Sequence, residues 1–160
     1  MATLQEFTPA IQREFAASVI RRLGLTPRGA AEDLTLANEL FSFMRATTAS
    51  FEQIFFDLYG GLAEQTRIGR SLAAPAYRAA EFTSLRELLA DYQPLPGINL
   101  GHRYFQRAAP CTMLIEEVKS ILDAIRQSDD WSPFAAKLAD IAEMADAYSA
   151  PSPQENAPEA

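Results

Sequence analysis

A chain of 160 residues, 48% hydrophobic and 22% charged, is long enough to bury one core and too apolar to be a disordered chain. Its formal net charge of −7 argues against nucleic acid or an anionic membrane as a partner, since both require a clustered basic surface. The single cysteine, Cys111, excludes an internal disulfide and a cysteine-cluster metal site. We find no signal peptide and no apolar run of about 20 residues, so we expect a soluble, cytoplasmic protein.

Apolar residues recur at spacings of three and four along most of the chain, and no alternating strand pattern occurs. The predicted fold class is therefore all-α, a single bundle-like domain of about six helices over residues 1–148. The tail, residues 149–160, has three prolines and no large apolar residue, so we expect it to be disordered.

The first predicted helix starts at Thr8 and Pro9, and Gly24 ends it. The second opens with acidic residues in its first turn, where the helix dipole favours them. The third begins at Ser50, three residues before Gln53, which is the spacing of a capping box. Two glycines, residues 60–61, then stop it. The predicted buried face of the first helix is Ile11, Phe15, Val19 and Leu23. That of the second is Ala37, Leu40, Phe41 and Met44, and that of the third is Phe51, Ile54, Phe55 and Leu58.

A fourth helix, in one piece or two, is expected after Pro75 and to end before Pro94. Residues 93–109 mix prolines and glycines with aromatic residues, which predicts an ordered loop. A fifth helix starts near Pro110 or Thr112, and a sixth is capped at Ser132. The predicted buried face of the fourth helix is Phe82, Leu85, Leu89 and Tyr92. That of the fifth is Leu114, Val118, Ile121, Leu122 and Ile125, and that of the sixth is Phe134, Leu138, Ile141 and Ala145.

Catalytic and metal-binding patterns are poorly represented in this sequence. One histidine and one cysteine nine residues apart cannot complete a zinc site without carboxylates from elsewhere, so we predict no metal. No glycine-rich phosphate loop follows a strand. Cys111 lies near a helix start, where it is either a reactive thiol or a small packing residue. We therefore assign no catalytic residue.

The candidate binding residues are His102, Arg103, Arg107 and Trp131. Arginine beside aromatic residues suits phosphate or a partner's carboxylates, and Arg67, Arg70 and Arg78 are potential neighbours. In an acidic protein, the alternative is that these arginines pair with the chain's own carboxylates. Trp131 is either an anchor for the turn before the sixth helix or a platform for a ligand.

Three segments carry a resemblance to a known family: RRLGL at residues 21–25, FFDLYGG at residues 55–61 and DDWSPF at residues 129–134. With them, residues 7–148 resemble the C-terminal helical region of the selenoprotein O (SelO) family of protein adenylyltransferases. The resemblance implies a kinase-like core that binds ATP and Mg²⁺ or Mn²⁺ and transfers AMP to protein hydroxyl groups.

None of that core's glycine-rich loop, lysine, aspartate or asparagine can be placed in this chain, so the resemblance transfers no catalytic residue and no cofactor to the chain alone. Many members carry an NP-x-x-x-LRN-like run in the late helical region. Here residues 109–116 keep the proline and leucine and lack the arginine and asparagines. The cysteine or selenocysteine near the C-terminus of some members has no counterpart in residues 149–160.

Three functions compete. The first is a non-catalytic module that uses an exposed apolar helical face to bind a kinase-like core or a second copy of itself. The second is an independent protein-interaction or small-ligand-binding module, with His102, Arg103 and Arg107 lining a pocket. The third is a self-sufficient enzyme using Cys111 or His102, for which no complete catalytic group can be assembled. We expect the first.

Overall fold

The computed structural model describes the backbone of residues 4–149 and the side chains of residues 9–149. Within that range the fold is all-α, as predicted, with no strand and one isolated bridge between Leu25 and Pro94. None of the helices in this range is both long and apolar enough to cross a lipid bilayer. Residues 150–160, which belong to the predicted disordered tail, lie outside the described residues.

Seven α-helices follow one another along the described chain, one more than predicted. They are α1 (Leu4–Arg22), α2 (Ala30–Ala46), α3 (Phe51–Asp57), α4 (Gln65–Arg70), α5 (Thr83–Ala90), α6 (Ile115–Ser128) and α7 (Ser132–Tyr148). Short 3-10 turns lie at Ala76–Arg78, Ala80–Phe82 and Arg103–Gln106. The additional helix is α4, which has only six residues and lies in a segment without a clear apolar period.

The main core lies where α2 packs against both α1 and α5. Its fully buried residues include Ile20, Leu23, Leu36, Leu40, Ile54, Leu58, Leu85 and Leu89. The predicted faces of α2 and α5 are therefore confirmed in their central positions. These helices form because apolar residues spaced three and four apart give each one a continuous face to bury.

The N-terminal end of α1 differs from the prediction. The helix already includes Leu4, so the predicted start at Thr8 and Pro9 is wrong, and Pro9 lies inside the helix. Pro9 is the sixth residue of this helix, so the helix lacks the hydrogen bond that a backbone N–H at position 9 would donate to the carbonyl of Gln5.

Two residues predicted to be buried in this part of the chain are exposed. Ile11 is 51% exposed and Phe51 is 41% exposed. Phe15, one turn after Ile11, packs against the core and contacts Phe41 with ring centroids 5.3 Å apart, whereas Ile11 is not among the residues that pack on the core. Phe51 lies beneath the guanidinium of Arg22, at 4.7 Å from its ring centroid.

Ser50 caps α3, as predicted: its Oγ accepts a hydrogen bond of 3.2 Å from the backbone N–H of Gln53. The Gln53 side chain does not return to Ser50. Its amide donates instead to Asp57 Oδ1 at 2.9 Å, to Ser71 Oγ at 3.1 Å and to the carbonyl of Ala108 at 3.0 Å. One buried glutamine therefore connects α3 to two loops.

Asp57 is the centre of this buried polar network. The hydroxyl of Tyr77 donates to its carboxylate at 2.8 Å, and the hydroxyl of Ser71 also donates to it. Burial raises the pKa of Asp57, while the hydrogen bonds from Ser71, Tyr77 and Gln53 oppose that shift. The network fixes the segment after α4 against α3, because a buried carboxylate is stable only when its oxygens are paired.

The predicted burial is wrong for most of α6 and α7. α6 has no buried residue, and Leu114 and Leu122 are 61% and 51% exposed. In α7, Phe134 and Leu138 are 42% and 51% exposed. The physical reason is that α6 packs mainly on α7, while α7 packs on α6 and on the 3-10 turn Arg103–Gln106, so much of the apolar surface of both helices stays uncovered.

The predicted cap of the last helix is shifted by one position. Trp131 occupies the N-cap position and Ser132 is the first helical residue. The carboxylate of Asp130 accepts a hydrogen bond of 2.9 Å from the backbone N–H of Ser132. An acidic side chain therefore satisfies one of the free donors of α7, in place of the predicted serine.

Gly24→Ala is expected to lower the free energy of unfolding by about 2 kcal/mol. Gly24 ends α1 with a φ of 62°, and an added Cβ would lie 2.6 Å from Cε2 of Tyr59. Gly69→Ala is the control, because nothing lies within 4 Å of its added Cβ. Alanine there should leave stability unchanged or raise it by up to about 1 kcal/mol. Urea unfolding followed by circular dichroism measures both, and equal effects would contradict this role of Gly24.

Candidate functional site

The 3-10 turn Arg103–Gln106 joins α7 to the rest of the fold through two buried aromatic residues. Tyr104 and Phe105 are 0% and 1% exposed. Nδ1 of His102 accepts a hydrogen bond of 3.2 Å from the backbone N–H of Tyr104, which caps the turn. The rings of Tyr104 and Phe105 form a cluster with three further rings. We call this cluster the aromatic joint, and its members are Phe56, Tyr59, Tyr104, Phe105 and Tyr148.

The rings of the aromatic joint come from α3 and the turn that follows it, from the loop and from the end of α7. Tyr59 stacks on Phe105 with centroids 5.1 Å apart. Tyr148, in the last turn of α7, meets Phe105 edge-on at 5.3 Å and Tyr59 edge-on at 4.8 Å. Edge-to-face and stacked pairs of this kind add about 0.5–1.5 kcal/mol each beyond the area that they bury. The joint therefore fixes the C-terminal end of α7.

Arg67 lies buried behind the joint, with 2% of its surface exposed. Its Nη1 donates to the carbonyls of Phe56 at 3.1 Å and Tyr59 at 2.9 Å, and its guanidinium lies 4.5 Å from the ring centroid of Phe105. Burial lowers its pKa. Its Nε and Nη2 have no hydrogen-bond partner among the described residues. The carbonyls at the end of α3 and the Phe105 ring stabilise this cation in place of a carboxylate.

The basic residues of the loop pair with acidic residues of α7. Arg107 Nη2 lies 2.8 Å from Asp140 and 2.6 Å from Glu143. Arg103 Nε lies 3.0 Å from Glu143. The hydrogen bond to Asp140 is the main cause that raises the pKa of Arg107. These contacts, together with the one made by His102, form what we call the α7 ion-pair cluster.

His102 completes the α7 ion-pair cluster. Its Nε2 lies 3.1 Å from Asp146 Oδ2, while Nδ1 accepts from a backbone N–H, so the proton of the neutral ring is on Nε2. Three of the four predicted binding residues are thus brought together, and they contact the chain's own carboxylates. Their predicted role in ligand binding stays a prediction.

Trp131, the fourth predicted binding residue, lies away from the α7 ion-pair cluster in the turn between α6 and α7. It is 55% exposed, its indole N–H donates to Asp129 at 2.9 Å, and its ring meets Phe134 edge-on at 6.0 Å. The indole donor is thus paired at the surface, while a broad apolar ring face remains open to solvent.

A groove of about 930 Å³ lies between the end of α1, the start of α3 and the extended segment before α6. Aromatic residues form much of its wall, and Tyr59 and Tyr148 of the aromatic joint are among them. Two arginines of α1, Arg21 and Arg22, line it as well, and Arg22 is paired with Glu52 at 2.6 Å. His102, Arg103 and Arg107 are not among its lining residues.

Cys111 lines the same groove and is partly buried. Its backbone N–H donates to the hydroxyl of Tyr104 at 2.9 Å. His102, the histidine proposed as its catalytic partner, hydrogen-bonds to Asp146 instead. Among the described residues, no group of three or more His, Cys, Asp or Glu side chains could hold a metal ion.

Most of the exposed large apolar side chains in the described range belong to the α6–α7 hairpin and the segment before it. We call them the hairpin apolar face: Met113, Leu114, Ile115, Leu122, Trp131, Phe134 and Leu138. On α6, Ile115, Val118, Leu122 and Ile125 share one side because they are spaced three and four residues apart. The buried side chain of Lys137 braces the hairpin by donating to Glu117 at 2.7 Å and to the carbonyl of Thr112.

Reasoning from the sequence missed three important residues. Arg67 was considered as a neighbour of a binding loop, not as a buried cation, and Asp57 and Tyr59 were not singled out within FFDLYGG. An acidic residue in the middle of an otherwise apolar run was the available signal, because such a residue is buried only with dedicated partners. The distant partners Ser71 and Tyr77 gave no such signal.

A family model described as "Protein adenylyltransferase SelO" matches residues 1–142 of this chain. No curated protein and no solved structure matches it. The matched residues include α1 to α6 and most of α7, and therefore the loop, the hairpin apolar face and the lining of the groove except for Met144 and Tyr148.

Arg107→Met is expected to speed amide hydrogen exchange in α7 about fivefold, which corresponds to about 1 kcal/mol of lost local stability. The variant removes both Arg107 contacts and leaves Asp140 and Glu143 with one cation fewer. Arg28→Met is the matched control, since it removes a 3.0 Å pair with Asp91 elsewhere. Unchanged exchange in α7, or equal acceleration by both variants, would show that the ion pairs do not hold the helix.

Proposed function

The chain belongs to the SelO family of protein adenylyltransferases, and from this premise we propose that it is a non-catalytic helical module that docks on a kinase-like core. In this proposal the hairpin apolar face is the docking surface. The core would bind ATP with Mg²⁺ or Mn²⁺ and transfer AMP to protein hydroxyl groups. This chain would supply no catalytic residue, and we place the protein in the cytoplasm.

One observation carries the proposal: α6 is strongly amphipathic, yet none of its residues is buried. Leu114 and Ile115 are 61% and 68% exposed, and Leu122 is 51% exposed. Burying a side chain of this size stabilises a protein by about 1.5–3 kcal/mol. A face that leaves several such side chains in water fits a surface that a partner normally covers.

The arrangement of charged residues supports an apolar partner surface. Two arginines of the loop beside the hairpin, Arg103 and Arg107, are paired with Glu143 and Asp140. Lys137 is buried and paired with Glu117. Because these charges are compensated within the chain, binding through the hairpin apolar face would rest on apolar contact more than on ion pairs.

Leu122→Arg is expected to weaken binding to a purified kinase-like SelO core at least tenfold in isothermal titration calorimetry, because it places a charge in the centre of the docking surface. The variant should fold normally, since Leu122 is already half exposed. Leu72→Arg is the control: Leu72 is 74% exposed and lies outside the hairpin, so its variant should bind like the unmodified chain.

Three outcomes would contradict the docking proposal. They are no binding of the unmodified chain at about 100 µM, equal binding by the Leu122 and Leu72 variants, and dimerisation through the hairpin apolar face in light scattering without any core. The last outcome would identify a second copy of this chain as the occupant of the surface.

Magnesium ATP at millimolar concentration is expected to leave the melting temperature of the chain unchanged, because the proposal places the nucleotide site in the core. A ligand present at about 100 times its Kd adds about 2.7 kcal/mol to stability, which would shift the midpoint by several degrees. Differential scanning fluorimetry with and without the nucleotide measures this. A shift of that size would overturn the non-catalytic assignment.

A further inference from the structure

The turn between α6 and α7 presents two aromatic rings to solvent. Trp131 is 55% exposed, more than any other aromatic residue in the described part of the chain, and Phe134 is 42% exposed. The two rings meet edge-on, with centroids 6.0 Å apart and an angle of 83° between their planes. Neither ring belongs to the main core or to the aromatic joint. They form one apolar patch at the end of the hairpin.

The polar end of Trp131 is already paired inside the turn. Its indole N–H donates to Asp129 Oδ1 at 2.9 Å. When a partner buries an exposed indole, the partner normally has to supply an acceptor, because an unpaired donor that leaves water costs free energy. Trp131 has its acceptor within its own chain, so the ring can enter an apolar recess that offers none.

The backbone of the turn holds Trp131 in place. Asp129 ends α6 in the left-handed conformation, with a φ of 52°, and its backbone N–H donates to the carbonyl of Ile125 at 3.0 Å. Trp131 is the N-cap residue of α7, and Asp130 accepts the hydrogen bond from the backbone N–H of Ser132. A side chain that is positioned before binding loses less conformational entropy when it is buried by a partner.

Negative charge flanks the aromatic patch. Residues 127–136 contain two carboxylates, Asp129 and Asp130, and no lysine, arginine or histidine. Hydrogen bonds from the side chain and the backbone of Ser132 lower the pKa of Asp130, which keeps it ionised at neutral pH. Neither carboxylate forms an ion pair with another described residue. The complement of this surface is an apolar recess with lysine or arginine at its rim.

We propose that Trp131 is the anchor of the docking surface, and that its indole and the ring of Phe134 fill an apolar recess of the kinase-like core. Lysine or arginine at the rim of that recess would face Asp129 and Asp130. This inference rests on the proposed docking function and adds the chemistry of the partner's surface. Buried tryptophans are among the residues that contribute most to interfaces, while charges at the rim set the orientation of the partner.

The first test reads the surroundings of Trp131 directly, because it is the single tryptophan of the chain. Fluorotryptophan at this position gives one ¹⁹F resonance, whose frequency differs between H₂O and D₂O while the ring contacts solvent. A saturating amount of purified kinase-like core is expected to shift the resonance and to remove most of that difference. A resonance that keeps the difference, while calorimetry shows that the core binds, would overturn the anchor and leave docking intact. No binding at about 100 µM would overturn both.

The second test compares two truncations within the hairpin apolar face. Trp131→Ala is expected to weaken binding to the core at least about 30-fold, whereas Leu138→Ala should weaken it less than about tenfold. Leu138 is the matched control, because it lies on α7 and is 51% exposed. Both variants should fold, since each side chain is half exposed and Trp131 makes no side-chain cap. Equal losses would show that Trp131 is an ordinary member of the face.

The third test concerns the charged rim. The double variant Asp129→Asn and Asp130→Asn keeps both acceptors and a residue type that tolerates the left-handed conformation. It should weaken binding about fivefold in about 50 mM salt and less than about twofold in about 0.5 M salt, where charges are screened. Glu81→Gln with Glu87→Gln is the control, because both residues are exposed and lie outside the hairpin. Equal binding by the two double variants at low salt would overturn the basic rim.

Discussion

The position of α7 depends on one contact, the insertion of Tyr104 and Phe105 into the aromatic joint. The 3-10 turn that carries them places two rings against α3 and, at the same time, presents His102, Arg103 and Arg107 to the acidic side of α7. The buried guanidinium of Arg67 supports Phe105 from behind. A single turn thus determines where the last helix lies, and α7 in turn positions α6. The groove and the hairpin apolar face are both consequences of this arrangement, because each lies beside residues that the turn fixes.

The exposed face of α6 and the groove can be understood together. A domain of this size gains most of its stability from apolar burial, and here the burial is concentrated around α1, α2 and α5. The hairpin is attached by the aromatic joint, the α7 ion-pair cluster and Lys137, while its own apolar side stays open. Contacts of this kind can hold a helix in place without covering its apolar side. That separation between attachment and exposed surface supports a docking role for a chain of the SelO family.

Periodicity predicted the all-α fold and the central core correctly, because the faces of α2 and α5 repeat at three and four residues and are buried by neighbouring helices. The same pattern in α6 predicted burial that does not occur, since periodicity shows that a helix has an apolar side but not what covers it. The network of Asp57 and the burial of Arg67 could not be predicted either, because their partners come from distant segments: Ser71 and Tyr77 for the carboxylate, and the Phe105 ring for the cation. The pairing of Arg103 and Arg107 with the chain's own carboxylates was foreseen as an alternative from the acidic composition alone.

The central claim is that α6 is uncovered in the isolated chain and becomes covered by a kinase-like core. Amide hydrogen exchange of the chain, free and in the presence of a saturating amount of that core, tests it most directly. The account predicts slower exchange in α6 and in the first turns of α7, with α2 and α5 unchanged because their apolar faces are already buried. Protection that appears in α2 or α5 instead, or no added protection in α6, would contradict it.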